Sequence, residues 1–137
     1  MVRVVIDTNV MVSALIAKGK PRRLVSRLLS RHSVISSREM LEELSEVLSR
    51  EKFGLSKAQV GRYLSIYTEN SESVTLRSKV RAVAEDPDDD VVLSTAVGGN
   101  AEYIVTGDRH LLVMKEFGVT RIVTVDGALK ILSSAKT

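Results

Sequence analysis

The sequence predicts an α/β fold: a three-layer α/β/α sandwich with a central parallel sheet of about five strands. Short β-branched segments alternate with amphipathic helical segments along the chain, and the strand segments are apolar on both faces. No linker rich in proline, glycine or serine interrupts the 137 residues. We therefore expect one domain over residues 1–137.

Each predicted strand is a short, β-branched segment. Segments that are apolar on both faces are typical of strands buried inside a parallel sheet. Gly107 ends the fourth of them and permits a tight turn. The predicted strands are residues 2–6, 33–35, 73–76, 103–106 and 120–125.

The helices are predicted from apolar spacing and capping residues. Pro21 suits the first turn of one helix, and Ser36 with Glu39 has capping-box spacing at the start of another. Ser56 begins a further helix, and an acidic helix begins at Asp86. The predicted helices begin near residues 11, 21, 36, 56, 86, 110 and 126, and the sixth covers residues 110–117.

Composition excludes several classes of protein. The absence of cysteine excludes a disulfide scaffold, a thiolate zinc site and a cysteine nucleophile, and two histidines are too few for a histidine-rich metal site. No apolar run approaches the ~20 residues that span a bilayer, so we expect no membrane partner. An acid at position 7 interrupts any apolar signal region, and we expect a cytoplasmic protein.

Two acids follow predicted strands closely. Asp7 comes directly after residues 2–6, and Asp108 is separated from residues 103–106 only by Gly107. Ligands of a parallel sheet bind beyond the carboxyl ends of its strands, so both carboxylates are expected at the same functional edge. Each could instead be only a helix N-cap, a position that aspartate favours.

Further acids can join this pair. Glu43 lies at the border of the apolar face of its helix, where it either meets a cation or pairs with an arginine. Acids in residues 85–90 complement a helix dipole, but a bound divalent cation would also relieve their mutual repulsion. Asp90 lies deepest in that helix and is expected to face inward, with Asp88 and Asp89 solvated.

Together, four acids at one sheet edge would form an all-oxygen site: Asp7, Glu43, Asp90 and Asp108. Oxygen ligands suit Mg²⁺ or Mn²⁺ rather than zinc. Two such ions about 3.5–4 Å apart can activate water and stabilise the leaving oxygen in phosphodiester hydrolysis.

Positive charge is concentrated in the first part of the chain. Residues 1–81 hold 15 lysines and arginines against 8 acids, whereas residues 82–137 hold 5 against 9. Guanidinium groups spaced by four residues share one helix face and can hold a nucleic-acid backbone, unless that face is simply solvated. The candidate RNA-binding residues are Lys20, Arg23, Arg27 and Arg31.

Four blocks of the sequence resemble, in order, the motifs of the PIN-domain family. The first is Asp7-Thr8-Asn9-Val10 after the opening strand, and the second is a helix with a glutamate that aligns at Glu43. Together the blocks cover essentially the whole chain. They are residues 7–10, 37–48, 86–96 and 101–112.

The resemblance implies an α/β/α sandwich and a ribonuclease dependent on Mg²⁺ or Mn²⁺. Many relatives are VapC-like toxins paired with a small antitoxin, and many are homodimers, so the expected partners are RNA, an antitoxin and a second copy. The metal-binding acids that match the family motifs are Asp7, Glu43, Asp90 and Asp108, and Asp88 can share the role given to Asp90. The matching supporting polar residues are Asn9 and Thr106.

Two hypotheses of different classes follow. A metal-dependent endoribonuclease requires the acids, whereas a non-catalytic RNA- or protein-binding module of the same fold requires only the basic residues. A phospho-acceptor signalling domain is disfavoured, because it requires paired acids after the first strand and Asp7 stands alone. A phosphatase of the haloacid-dehalogenase type requires a second aspartate where this chain has Asn9.

Overall fold

The structure, a computed structural model, describes residues 1–76 and 87–134, and the side chains of residues 89–134 within the second range. Within these ranges, six strands form one sheet in the order β3-β2-β1-β4-β6-β5. The strands are β1 (Arg3–Ile6), β2 (Ser33–Ser37), β3 (Ser71–Val74), β4 (Tyr103–Val105), β5 (Glu116–Phe117) and β6 (Thr120–Val123).

The parallel sheet expected from the sequence is confirmed, with one addition. Five strands pair in parallel, and the short edge strand β5 pairs antiparallel with β6. The expectation of one helix over residues 110–117 is wrong. That helix ends at Leu112, Lys115 has a left-handed φ of 63°, and the chain returns through Gly118 at φ 60°.

In residues 1–76 and 87–134, seven helices connect and cover the strands. The predicted N-cap at Ser36 is one residue early, because Ser37 caps the third helix by accepting a hydrogen bond from the Met40 N–H. Ser56 does begin a helix, through a capping box with Gln59. The helices are α1 (Thr8–Ile16), α2 (Lys20–Arg31), α3 (Arg38–Leu48), α4 (Lys57–Glu69), α5 (Pro87–Gly98), α6 (Arg109–Leu112) and α7 (Val125–Ser134), with a 3₁₀ turn at Glu51–Phe53.

The core consists of two apolar clusters, one on each face of the sheet. On one face, alternate residues of the strands pack against α1, α2, α3, α4 and α7. On the other, Val5, Ile35 and Ile104 pack against α5 and α6. This is the predicted three-layer arrangement. Within residues 1–76 and 87–134, no helix combines the length and apolarity needed to cross a membrane.

The topology brings several chain segments to the carboxyl edge of the sheet. The connection after β1 runs toward β2, whereas the connection after its neighbour β4 runs toward β5 at the other side of the sheet, so a crevice opens between the carboxyl ends of β1 and β4. α3 follows β2 and therefore begins at this edge. α5 also begins here and ends near the opposite edge, where β4 begins. The helix α2 runs from this edge to the opposite one, because Lys20 contacts the first turn of α7 and Arg27 contacts its last turn.

His32, at the amino edge, gives the fold a predicted dependence on pH. Its Nδ1 accepts a hydrogen bond of 3.0 Å from the Val2 N–H, which requires an unprotonated nitrogen. Burial, the N-terminal ammonium, Arg27 and Arg31 lower the pKa of His32 below its usual value. The unfolded chain therefore takes up this proton at higher pH than the folded chain. We expect stability to be highest above about pH 6.5 and to fall as the pH drops below it.

Urea unfolding at about pH 7.5 and about pH 5 measures this effect. In His32→Asn the side-chain oxygen can accept the same hydrogen bond but takes up no proton. The variant should lose less stability between the two pH values than the original protein. Equal losses would contradict the prediction.

Candidate active site

Asp7 lies at the carboxyl end of β1 and is almost buried, at 8% exposure. Its backbone N–H donates to the Val105 carbonyl at 2.9 Å, which extends the pairing of β1 with β4 by one residue. Although Asp7 occupies the N-cap position of α1, its side chain makes no capping hydrogen bond. The carboxylate is instead bound by Thr106, whose hydroxyl donates to Asp7 Oδ2 at 2.6 Å.

Thr106 connects the two acids that follow neighbouring strands. Its side chain is fully buried. While its hydroxyl donates to Asp7, its oxygen accepts a hydrogen bond of 3.0 Å from the Asp108 N–H. One threonine therefore fixes both the carboxylate after β1 and the backbone turn after β4.

Asp108 is a helix cap as well as a candidate site residue. Its Oδ1 accepts a 2.8 Å hydrogen bond from the His110 N–H at the start of α6. The side chain remains partly exposed at the carboxyl edge. Asn9, the other predicted supporting residue, is exposed in the first turn of α1.

In α5, the structure buries a different acid from the one expected. Asp89 is only 4% exposed, whereas Asp90 is partly exposed, so the expectation that Asp89 is solvated is wrong. Asp89 lies four residues before Leu93 and seven before Ala96, and this spacing places it on the buried face of the helix. The same spacing is visible in the sequence and could have identified Asp89. The side chain of Asp88 lies outside the described part of the chain.

Glu43 is half-buried on α3 and faces a cavity. This open cavity of about 330 Å³ lies between α3 and the first turns of α5, where Val91 lines the opposite wall. On the α3 side, Arg50 pairs with Glu46 at 3.7 Å, and both residues also line this cavity. Glu43 lies across the cavity from α5, the helix that holds Asp89 and Asp90.

The donor chemistry of these residues fits a hard divalent cation. All the side-chain donors are oxygens, and two of the carboxylates, on Asp7 and Asp89, are buried at the same edge. Among the side chains of residues 1–76 and 89–134, however, no three acids or histidines lie close enough to one another to hold a metal ion.

The four predicted RNA-binding residues do not form one exposed row. Arg23 and Arg31 are exposed, but Lys20 pairs with Asp126 at 3.1 Å. Arg27 is half-buried and donates to the Leu132 carbonyl at 3.4 Å, near the end of α7. Because α2 rises about 1.5 Å per residue, Arg31 lies about 17 Å along the helix axis from Lys20, toward the amino edge.

Comparison with known proteins agrees with this fold and edge. The model of the PIN domain matches residues 3–110. A structure of VapBC2 from Rickettsia felis, bound to a DNA fragment from its promoter, superposes with a TM-score of 0.66 at 19% identity, covering 89% of this chain and 98% of that chain. PAE2754 from Pyrobaculum aerophilum superposes with a TM-score of 0.67 at 17% identity, covering 97% of this chain and 90% of that chain.

Among curated proteins no match was found. The family match nevertheless covers most of the chain and includes Asp7, Glu43, Asp89 and Asp108. The chain belongs to the PIN-domain family, whose members are generally nucleases.

Proposed function

We propose that the protein is an endoribonuclease that requires Mg²⁺ or Mn²⁺ and hydrolyses phosphodiester bonds of RNA. The observation that supports it most is the buried Asp7 carboxylate at the carboxyl end of the central strand, held by Thr106 beside Asp108. When bound, a divalent cation would supply a Lewis acid and activate water at neutral pH.

In this proposal, the chain's own residues hold the cation and the RNA. Asp7, Glu43 and Asp108 are proposed to hold the cation, together with an acid of α5. The sequence favoured Asp90, but the burial of Asp89 makes Asp89 the acid that we propose. No side chain would form a covalent bond to the RNA. Thr106 orients the Asp7 carboxylate and excludes water from one of its oxygens.

Paired variants of α5 test the choice between these acids. Asp89→Asn should weaken metal-dependent cleavage at least about tenfold more than Asp90→Asn, because loss of a metal-binding carboxylate costs more than loss of a partly solvated neighbour. The initial cleavage rate over a range of Mn²⁺ concentrations measures this. A larger loss in Asp90→Asn would restore the role to Asp90.

We further propose that the phosphate backbone of RNA contacts the exposed face of α2. Arg23 and Arg31 are exposed there, and guanidinium groups bind phosphate without reading sequence. Because many PIN-domain proteins resemble VapC, and VapBC2 is a structural neighbour, we also propose a small antitoxin as a protein partner and a homodimer as the assembly.

Cleavage of a mixture of transfer and ribosomal RNA by the purified protein tests the function. We expect cleavage with Mn²⁺ or Mg²⁺ and none with EDTA. The second candidate function is a non-catalytic RNA- or protein-binding module. It is favoured because, among the side chains that the structure describes, no three acids lie close enough to one another to hold a metal ion. Binding of RNA without cleavage, across the whole RNA mixture, would support that module.

A further inference from the structure

A pair of buried hydroxyl groups joins the two helices that face each other across the cavity beside Glu43. Ser37, the N-cap of α3, is 1% exposed, and Thr95 on α5 is completely buried. Their side-chain oxygens are 2.8 Å apart. Neither residue was selected from the sequence, where each is an ordinary small polar residue.

The neighbouring hydrogen bonds determine which hydroxyl donates. Thr95 Oγ1 donates to the Val91 carbonyl at 2.8 Å, so its hydrogen is already used. Ser37 must therefore donate to Thr95. The Ser37 oxygen in turn accepts from the Met40 N–H at 3.3 Å. The result is a directed chain of three hydrogen bonds from the first turn of α3 to the first turns of α5.

Both ends of this chain lie close to proposed metal-binding acids. Met40 is one turn before Glu43, and Val91 follows Asp89 and Asp90 directly. Val91 and Glu43 also line the same cavity from opposite sides. The hydroxyl pair therefore fixes the backbones of the two helices close to the acids that we propose as metal ligands.

We propose that Ser37 and Thr95 are positioning residues, which set the separation between Glu43 and the acid of α5 that binds the metal ion. This inference rests on the proposed function. Apolar side chains of similar size would fill the same buried space without the cost of burying two hydroxyls. A directed hydrogen-bond chain instead specifies one register between the helices.

The test is Mn²⁺ binding to the full-length protein, measured by calorimetry without RNA, in Thr95→Val and Ser37→Ala. Each variant should bind Mn²⁺ about tenfold more weakly, because residues that orient metal ligands have effects of this size. Thr95→Ser keeps the hydroxyl and should restore most of the affinity. The salt of the titration should be held constant, because it changes electrostatic affinities.

Thr120 provides a matched control. It is also buried, and its hydroxyl donates to the Ala101 carbonyl at 2.7 Å, but it lies at the start of β6, on the amino edge. Thr120→Val should destabilise the fold comparably and leave Mn²⁺ affinity unchanged. Equal affinities in Thr95→Val and the original protein, or equal losses in both threonine variants, would overturn the positioning role alone.

A different result identifies failure of the proposed function itself. If the original protein binds no Mn²⁺, or if Asp7→Asn binds it equally well, the metal site is absent from this edge. Both proposals would then be rejected together.

Discussion

Replacing Asp7 by asparagine should reduce metal-dependent RNA cleavage by at least about 100-fold. Changes to residues that merely orient metal ligands already cost up to that factor, and Asp7 is proposed to be a ligand itself. Asparagine keeps the shape of the side chain, and its amide oxygen can still accept the hydrogen bond from Thr106. The midpoint of urea unfolding should therefore be close to that of the original protein, whereas the cleavage assay should show a large loss of activity.

Asp126→Asn is the matched control for this experiment. Asp126 also lies at the carboxyl edge, but it is exposed and pairs with Lys20. Its replacement removes the same charge from the same edge and should leave cleavage within about twofold, because an exposed ion pair contributes little. Full activity of Asp7→Asn would refute the proposed site. Equal losses in both variants would show that general electrostatics, not a specific carboxylate, controls the rate.

Replacing Gly99 by alanine should destabilise the protein by about 3 kcal/mol, through overpacking of the core. A Cβ atom on Gly99 would clash with Cγ2 of Ile35, which is fully buried in β2. The backbone cannot easily move away. The Gly99 N–H donates to the Thr95 carbonyl, and the Gly99 carbonyl accepts two hydrogen bonds from Arg3. Urea unfolding of the variant measures the loss.

Two further variants separate overpacking from the general effect of a new methyl group. Gly61 lies on α4, and a Cβ there would have no atom within 4 Å. Gly61→Ala should stabilise the protein by about 0.5–1 kcal/mol. Ile35→Ala removes the clashing methyl group, so Gly99→Ala should cost less in that background than in the original protein. Identical costs in the two backgrounds would contradict the overpacking mechanism.

The sequence was sufficient to predict the layers and most strands, because alternation of apolar strands and amphipathic helices is a local signal. It was also sufficient to place Asp7 and Asp108 at one edge, since each directly follows a strand. The short edge strand β5 could not be predicted from such a signal. It has only two residues, and its pairing with β6 depends on a turn at Gly118 and a left-handed Lys115.

The details of the site depend on packing between elements. Arginine spacing on α2 indicated a single basic face, but Arg27 turns toward the end of α7, a contact between residues far apart in sequence. Arg22, in the same basic segment, binds the carbonyls of Ala14 and Leu15 and so completes the end of α1. Ser37 and Thr95 meet only because α3 and α5, which pack mainly on opposite faces of the sheet, both begin at its carboxyl edge.

The direction of α2 gives a length scale to the RNA binding that we propose. The helix extends about 17 Å between Lys20 and Arg31, from the edge with the acids toward the opposite edge. An RNA that contacts both the acids and Arg31 must therefore extend over several nucleotides. In the proposed complex, shorter oligonucleotides would reach the acids but leave Arg31 without a phosphate. The length of the RNA, independent of its sequence, would then determine how many of the basic residues contribute to binding.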